Sequence, residues 1–260
     1  MNILVFVKRV PDTESRIRIR HETNSIIEDG LNFAASTYDE FAVEEALRLK
    51  EAKGGTVRVV CVGRDEALPV LRKCLAMGAD EAFLVKDEAP ETYDGLRTAR
   101  VIARAVETKF AGADLLLFGK QAVGTDNGQV PSMVAELLGL PQANVVTRLE
   151  IEGNAGTALR EIEGAAEKVV FSLPAVVSAQ KGLNEPRYET LKGIMAAKKK
   201  EIPVIKLEDL GLAAGDLEPQ IVITGLDVPP ERKAGKILQG DPAETARGLA
   251  ALLHNEAKVV

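Results

Sequence analysis

The chain has 260 residues, of which 46% are hydrophobic and 28% charged, and a formal net charge of −6 at pH 7. That length suits one large α/β domain with an appendage. The acidic balance, an aromatic content of 4% and the absence of Trp argue against nucleic-acid binding, which calls for basic patches and stacking surfaces.

Residues 2–7, NILVFV, form a short apolar run closed by Lys8-Arg9, too short for a signal segment or a membrane span. Residues 56–63, 81–85 and 114–119 repeat the pattern. Unbroken Val/Ile/Leu runs without polar alternation predict strands covered on both faces, as in a parallel sheet. Helical segments fall between them. Ser36, Thr37 and Asp39 offer cap oxygens before 40–55, Thr37 and Glu40 have the spacing of a capping box, and Gly54-Gly55 stops the helix. Further helices are predicted over 66–77, from Tyr93 to Phe110 and over 129–138. This β-α-β-α order predicts right-handed crossovers and a doubly wound, mostly parallel sheet with flavodoxin-like layering.

Beyond Pro141 the pattern changes. Residues 148–151, 158–162, 168–173 and 175–179 read as an edge β meander within about 142–180. A helix over 191–200 and a strand over 201–206 follow. The domain is therefore placed at 1–206, and 207–260 reads as a Pro- and Gly-rich arm, with a helix over 242–255, that packs on a partner.

Cys61 and Cys74 form no Cys-x-x-Cys pair; Cys61, inside the apolar run 59–62, reads as a small buried thiol, and a reducing, cytoplasmic compartment is the expectation. His21 and His254 lie apart in sequence. No Gly-x-Gly-x-x-Gly, Gly-x-Ser-x-Gly or His-Glu-x-x-His motif is present, and the GKQAVGT stretch lacks the lysine of a phosphate-binding loop. The most site-like segment is Gly119, Lys120, Gln121, Ala122, Val123, Gly124, Thr125, Asp126, Asn127, Gly128 and Gln129, which links a predicted strand tip to a predicted helix start. Ligands of open parallel sheets bind at such tips, where a helix N-terminus offers free N–H groups to a phosphate. A polar loop that merely caps its helix is the competing reading. Ser36 to Asp39, Asp12 and Val62-Gly63 are expected at the same edge of the sheet.

Over nearly the whole chain the sequence resembles the electron-transfer flavoprotein β subunits. The resemblance rests on VKRVPDTE at 7–14, AVEEALRLKE at 42–51, CLAMGAD at 74–80, LLLFGKQAVGTDNGQ at 115–129, REIEG at 160–164 and LPAVVSAQKGLNEPRYETLKGIMAAKKK at 173–200. It implies a heterodimer with an α subunit that holds the redox-active FAD, and a structural AMP in this chain. By position, the nucleotide pocket would comprise Phe6, Ser36, Thr37, Tyr38, Asp39, Val62 and Gly119 through Val130. It further implies a recognition loop over about 183–200, whose Leu191 docks an acyl-CoA or related dehydrogenase, with electrons leaving to a quinone-linked oxidoreductase. Leu191 as the first buried residue of its own helix is the alternative. Glu161 is a weaker candidate for an inter-subunit contact.

The chain departs from the family pattern at GTDNGQVP (124–131), where mitochondrial-type members read DDDCNQTG. It departs again at Ser36–Asp39, where a proline and a cysteine are often found. Electron-bifurcating relatives place a second FAD in this pocket and oxidise NADH. Gln129-Val130-Pro131 leans toward them, whereas GKQA and the lack of a Gly-Asp-Thr-Ala run lean toward AMP.

Overall fold

The computed structural model describes residues 1–89, 94–230 and 234–260. Two compact units are formed, Met1–Leu226 and Asp227–Val260. In the first, strands β1 (Asn2–Val7), β2 (Arg9–Pro11), β3 (Ile19–Arg20), β4 (Ser25–Ile26) and β5 (Phe33–Ala35) precede helix α1 (Thr37–Lys53). Then come β6 (Thr56–Gly63), α2 (Leu68–Met77), β7 (Glu81–Lys86), α3 (Gly95–Lys109), β8 (Leu115–Gly119) and α4 (Val130–Leu138). Strands β9 (Gln142–Glu152), β10 (Ala155–Ile162), β11 (Ala165–Ser172) and β12 (Ala175–Ala179), helix α5 (Leu191–Lys199) and strand β13 (Val204–Lys206) complete the main architecture.

Nine strands make one sheet in the order β11-β10-β9-β12-β8-β1-β6-β7-β13. The pairs from β12 through β13 are parallel, and β9 to β11 are antiparallel. Five of the six residues of β1 are buried, and they alternate between two cores. Ile3, Val5 and Val7 pack with α1 and α2, whereas Leu4 and Phe6 pack with α3 and α4. Each such side chain contributes about 1.5–3 kcal/mol by leaving water, which is why polar alternation is absent from these strands. The chain runs from β1 to β6 and β7 on one side, then returns to place β8 and β12 on the other. The strand order therefore reverses at β1, the switch point at which doubly wound sheets open a crevice.

The structure corrects several expectations. Ala175–Ala179 does not close the meander. It runs parallel between β8 and β9 with all five residues buried, so the meander is β9 to β11 alone. Its AVVSA sequence carries the same unbroken apolar signature as the other central strands. No capping box forms at α1: Ser36 is the N-cap and makes no side-chain cap bond, and Glu40 pairs with Lys73 at 2.8 Å. The helix predicted from Tyr93 begins at Gly95 with Asp94 as its cap, and Tyr93 lies outside the described residues. The 207–226 stretch packs within the first unit, where Leu210 is buried and accepts a 2.8 Å bond from Arg104 Nε.

In the second unit, α6 (Pro242–Leu252) is capped by Asp241, whose carboxylate accepts from the Ala243 and Glu244 N–H groups. None of the residues of α6 is buried, and Ile237, Leu249 and Val260 are exposed. Among the described residues no helix is long and apolar enough to cross a membrane.

One buried ion pair fixes the α3 side of the sheet. Arg97 engages both oxygens of Asp87 just past β7, with side-chain exposures of 6% and 2%, and its Nε donates to Leu217 O at 2.8 Å. Removing one member strands the other in a dry interior. Asp87→Ala should therefore lower the unfolding free energy by about 3–5 kcal/mol, measured by urea denaturation. A loss within experimental error of zero would show that water reaches the guanidinium.

Candidate functional site

The ladder between β1 and β8 ends at the pair Phe6 and Phe118. Beyond it the strands part, Val7 continuing with Cys61 on β6 and Gly119 with Ala179 on β12. An open cleft begins at this fork, at the strand tips where doubly wound sheets bind ligands. Phe6 and Phe118 stack on its apolar side, ring centroids 4.7 Å apart and planes 14° off parallel.

Of the residues predicted from sequence, Phe6, Asp39, Val62, Gly119, Lys120, Gln121, Ala122, Thr125, Asn127, Gly128, Gln129 and Val130 line this cleft. Ser36 does not line it but builds its wall. Its buried hydroxyl donates to Gln121 O and accepts from Val123 N–H, both at 3.3 Å. Thr37 is exposed at the start of α1, and the Tyr38 ring stands 4.8 Å from Lys120 Nζ. Val123, Gly124 and Asp126 shape the loop from outside: Gln121 Nε2 donates to Asp126 Oδ1 at 2.8 Å, and Gly124 takes φ 96°. Asp12 lies elsewhere, lining a separate groove with Glu14, Ser15 and Arg16, because the antiparallel pairing of β2 with β5 carries it away from the strand tips.

Asp39 closes the fork. One carboxylate oxygen accepts from Lys8 N–H at 2.7 Å and the other from Gly119 N–H at 3.0 Å. Burial pushes its pKa up to about 7, against the opposing pull of those two N–H groups and the Lys8 charge. Gly119 leaves no room for a side chain here, since an added Cβ would stand 2.4 Å from Asp39 Oδ1 and 2.6 Å from the Tyr38 carbonyl carbon.

Sequence reasoning missed the opposite wall, to which Asp87, Asp94, Gly95, Thr98 and Ile102 contribute. The strand-tip rule, applied to β7 as it was to β1, β6 and β8, would have pointed to Asp87 and Asp94. Both carboxylates are already engaged: Asp87 is held by Arg97, and Asp94 caps α3 and accepts from Gln220 N–H. Burial raises the pKa of Asp94, but the N–H groups of Gln220, Arg97, Leu96 and Ile221 overcome this and hold it below the usual carboxylate value. By contrast, the N-cap of α4, Gln129, makes no side-chain cap bond. The first N–H groups of a helix lack intrahelical partners; Pro131 has none, so in α4 those of Val130 and Ser132 remain for a ligand or water. Burial pushes the Cys61 and Cys74 thiols up to about 12, which removes them as nucleophiles. No group of three metal-ligating side chains occurs among the described residues.

Leu191, the first residue of α5, is 82% exposed and therefore not a core residue of its helix, and Tyr188 and Met195 beside it are also exposed. The segment that carries them is tied down at several points. Asn184 donates to Phe41 O and Glu45, and Arg187 grips Glu44 and Glu51 of α1. Gly193 lies against Ala76 O of α2, and Arg72 donates to the carbonyls of Ala197 and Lys200. Glu161 is exposed on β10.

Comparison with known proteins agrees with this architecture. The electron transfer flavoprotein domain family matches residues 23–210. The chain is 44% identical to the electron transfer flavoprotein subunit beta of Bacillus subtilis (strain 168), with all of both chains covered. It is 39% identical to the protein of the same name from Homo sapiens, covering all of this chain and 99% of that one, and 39% identical to the Syntrophomonas wolfei protein, covering 98% of that one. The extent of these matches and the nine-stranded, mostly parallel sheet agree, and the chain belongs to the family of electron transfer flavoprotein β subunits.

Proposed function

We propose that the cleft binds AMP in a structural role, and that the chain serves as the β half of a heterodimer whose α subunit holds the redox-active FAD. The observation that carries this reading is the division of polar groups around the cleft. The three carboxylates that line it are already engaged by Lys8 and Gly119 N–H, by Arg97, and by the cap of α3 with Gln220 N–H. What is left for a ligand is the 119–129 loop, the first turn of α4 and the Lys120 ammonium, a set that suits a phosphate. The Phe6–Phe118 pair offers an apolar surface to a base. The two cysteines are too basic for nucleophilic work, which favours a binding role over a reaction of the chain's own.

The exposed Leu191, with Tyr188 and Met195, is suited to dock an acyl-CoA-type dehydrogenase, because anchoring to α1 and α2 spares the cost of ordering the loop on contact. Electrons would then pass to the FAD of the α subunit and on to a quinone-linked oxidoreductase. The uncovered apolar residues of the second unit, Ile237, Leu249 and Val260, suit a segment that lies against the partner subunit.

Nucleotide extraction and mass measurement on the co-purified heterodimer should return AMP and one flavin per complex. Two flavins, with rapid bleaching by NADH, would replace AMP with a second FAD. Gly119→Ala, whose methyl group collides with Asp39, should cut retained AMP at least tenfold, by analogy with the loss of about 1.4 kcal/mol or more on overpacking a tight site. Full occupancy in that variant would place the phosphate elsewhere. Leu191→Ala should leave flavin content intact and slow reduction by the dehydrogenase about thirtyfold, the effect of losing one interfacial anchor worth about 2 kcal/mol; normal transfer rates would remove the docking role.

A further inference from the structure

We propose that Asp39 is the positioning residue of the cleft, its ionised carboxylate holding the parted tips of β1 and β8 at the spacing an adenylate occupies, so that protonation loosens the grip. The proposal rests on the adenylate reading above, and its test separates the two.

The argument starts from the fork. Past Phe6 and Phe118 the two strands no longer bond to each other, each having turned to its other neighbour. Lys8 N–H and Gly119 N–H thus lie beyond the β1–β8 ladder, and the Asp39 carboxylate accepts from both. The helix that carries Asp39 is fixed from behind, because Ser36 N–H donates to Lys8 O at 3.0 Å and the Ser36 hydroxyl holds Gln121 and Val123. Two side chains at the start of α1, Asp39 and Ser36, therefore couple β1, β8 and the loop that leads to α4.

Two N–H bonds, one to each oxygen, favour the charged form. On protonation one oxygen becomes an O–H and a poorer acceptor, so one amide is left with a weakened bond in a site where water is a poor substitute. The groups around Asp39 are few. Lys8 favours the charge and Glu40 on α1 opposes it, Cys61 on β6 and Cys74 on α2 feel it while remaining neutral, and Lys120, next to Gly119, holds its Nζ 4.8 Å from the Tyr38 ring. Burial places the titration of this carboxyl near neutrality rather than near 4. If the gripped state requires the carboxylate, adenylate binding releases a proton. Affinity should then rise as pH increases through about 7 and fall as pH drops below it.

The test uses the full chain stripped of nucleotide, with AMP as probe, and Asp39→Asn, which keeps the shape but offers one acceptor in place of two. The phosphate of AMP titrates near 6 in both proteins, so the informative quantity is the ratio of their affinities. The wild type should bind about tenfold more tightly at about pH 8, the worth of one hydrogen bond to a charged group, and the advantage should shrink to about twofold at about pH 6. A constant ratio, or one that grows toward acid because the carboxylate repels the phosphate, would overturn the proposal. A measurement independent of ligand is amide hydrogen exchange at Lys8 and Gly119. After correction for intrinsic rates, exchange should accelerate about tenfold in Asp39→Asn and in the wild type at acid pH; unchanged protection would overturn the proposal. Failure of both proteins to bind AMP, with the exchange effect present, would sink the adenylate reading and leave Asp39 as the latch of the cleft.

Discussion

Parallel strands buried on both faces can expose unsatisfied backbone only at their tips, and this constraint organises the rest of the molecule. β1 is paired with β6 along its length and with β8 from Ile3 to Phe6, after which the β1–β8 ladder ends. At that fork the protein must either supply partners or leave room for a ligand. It does both: Asp39 satisfies Lys8 and Gly119, and the loop from Gly119 to Gln129 leaves backbone and helix-start groups open beside it. The cleft is a consequence of sheet topology before it is a property of any side chain.

The same economy explains why a carboxylate is tolerated in the core. An ionised group in a dry site is costly unless hydrogen-bonded; for Asp39 two main-chain donors and the nearby Lys8 charge offset part of that cost, and burial still holds its pKa up at about 7. Asp87 is hydrogen-bonded by the Arg97 fork, and Asp94 by the N–H groups of α3 and of the 220–221 segment. Three acidic groups thus surround a cleft read as an anion site without presenting free charge to it. The segment before α5 follows a related logic. Arg187 and Asn184 bind it to the acidic face of α1, so the apolar surface of Leu191 is held out by polar bonds made behind it.

Much of this was legible in the residues themselves. The runs NILVFV and LLLFG have no polar alternation, and two-sided burial is the only packing that suits them. The strand-tip rule then led to the 119–129 loop without knowledge of any contact. It failed for Asp12, because the antiparallel pairing of β2 with β5 carries that residue into a separate groove. It overlooked Asp94, because the start of α3 was placed at Tyr93. The AVVSA run was assigned to the meander because it follows β11 in sequence, although its composition already matched the central strands.

The sequence by itself determined the layering, the strand tips that face the cleft and the family resemblance, since periodicity, apolar runs and turn residues are local properties of the chain. Only the tertiary structure decided what Asp39, Ser36 and Arg187 do. Their partners lie 31 to 143 residues away, and a hydrogen bond over that separation depends on strand order, which no local pattern encodes. In the same way Leu191 could have been core or surface until the packing of α5 against α2 fixed which face turned outward.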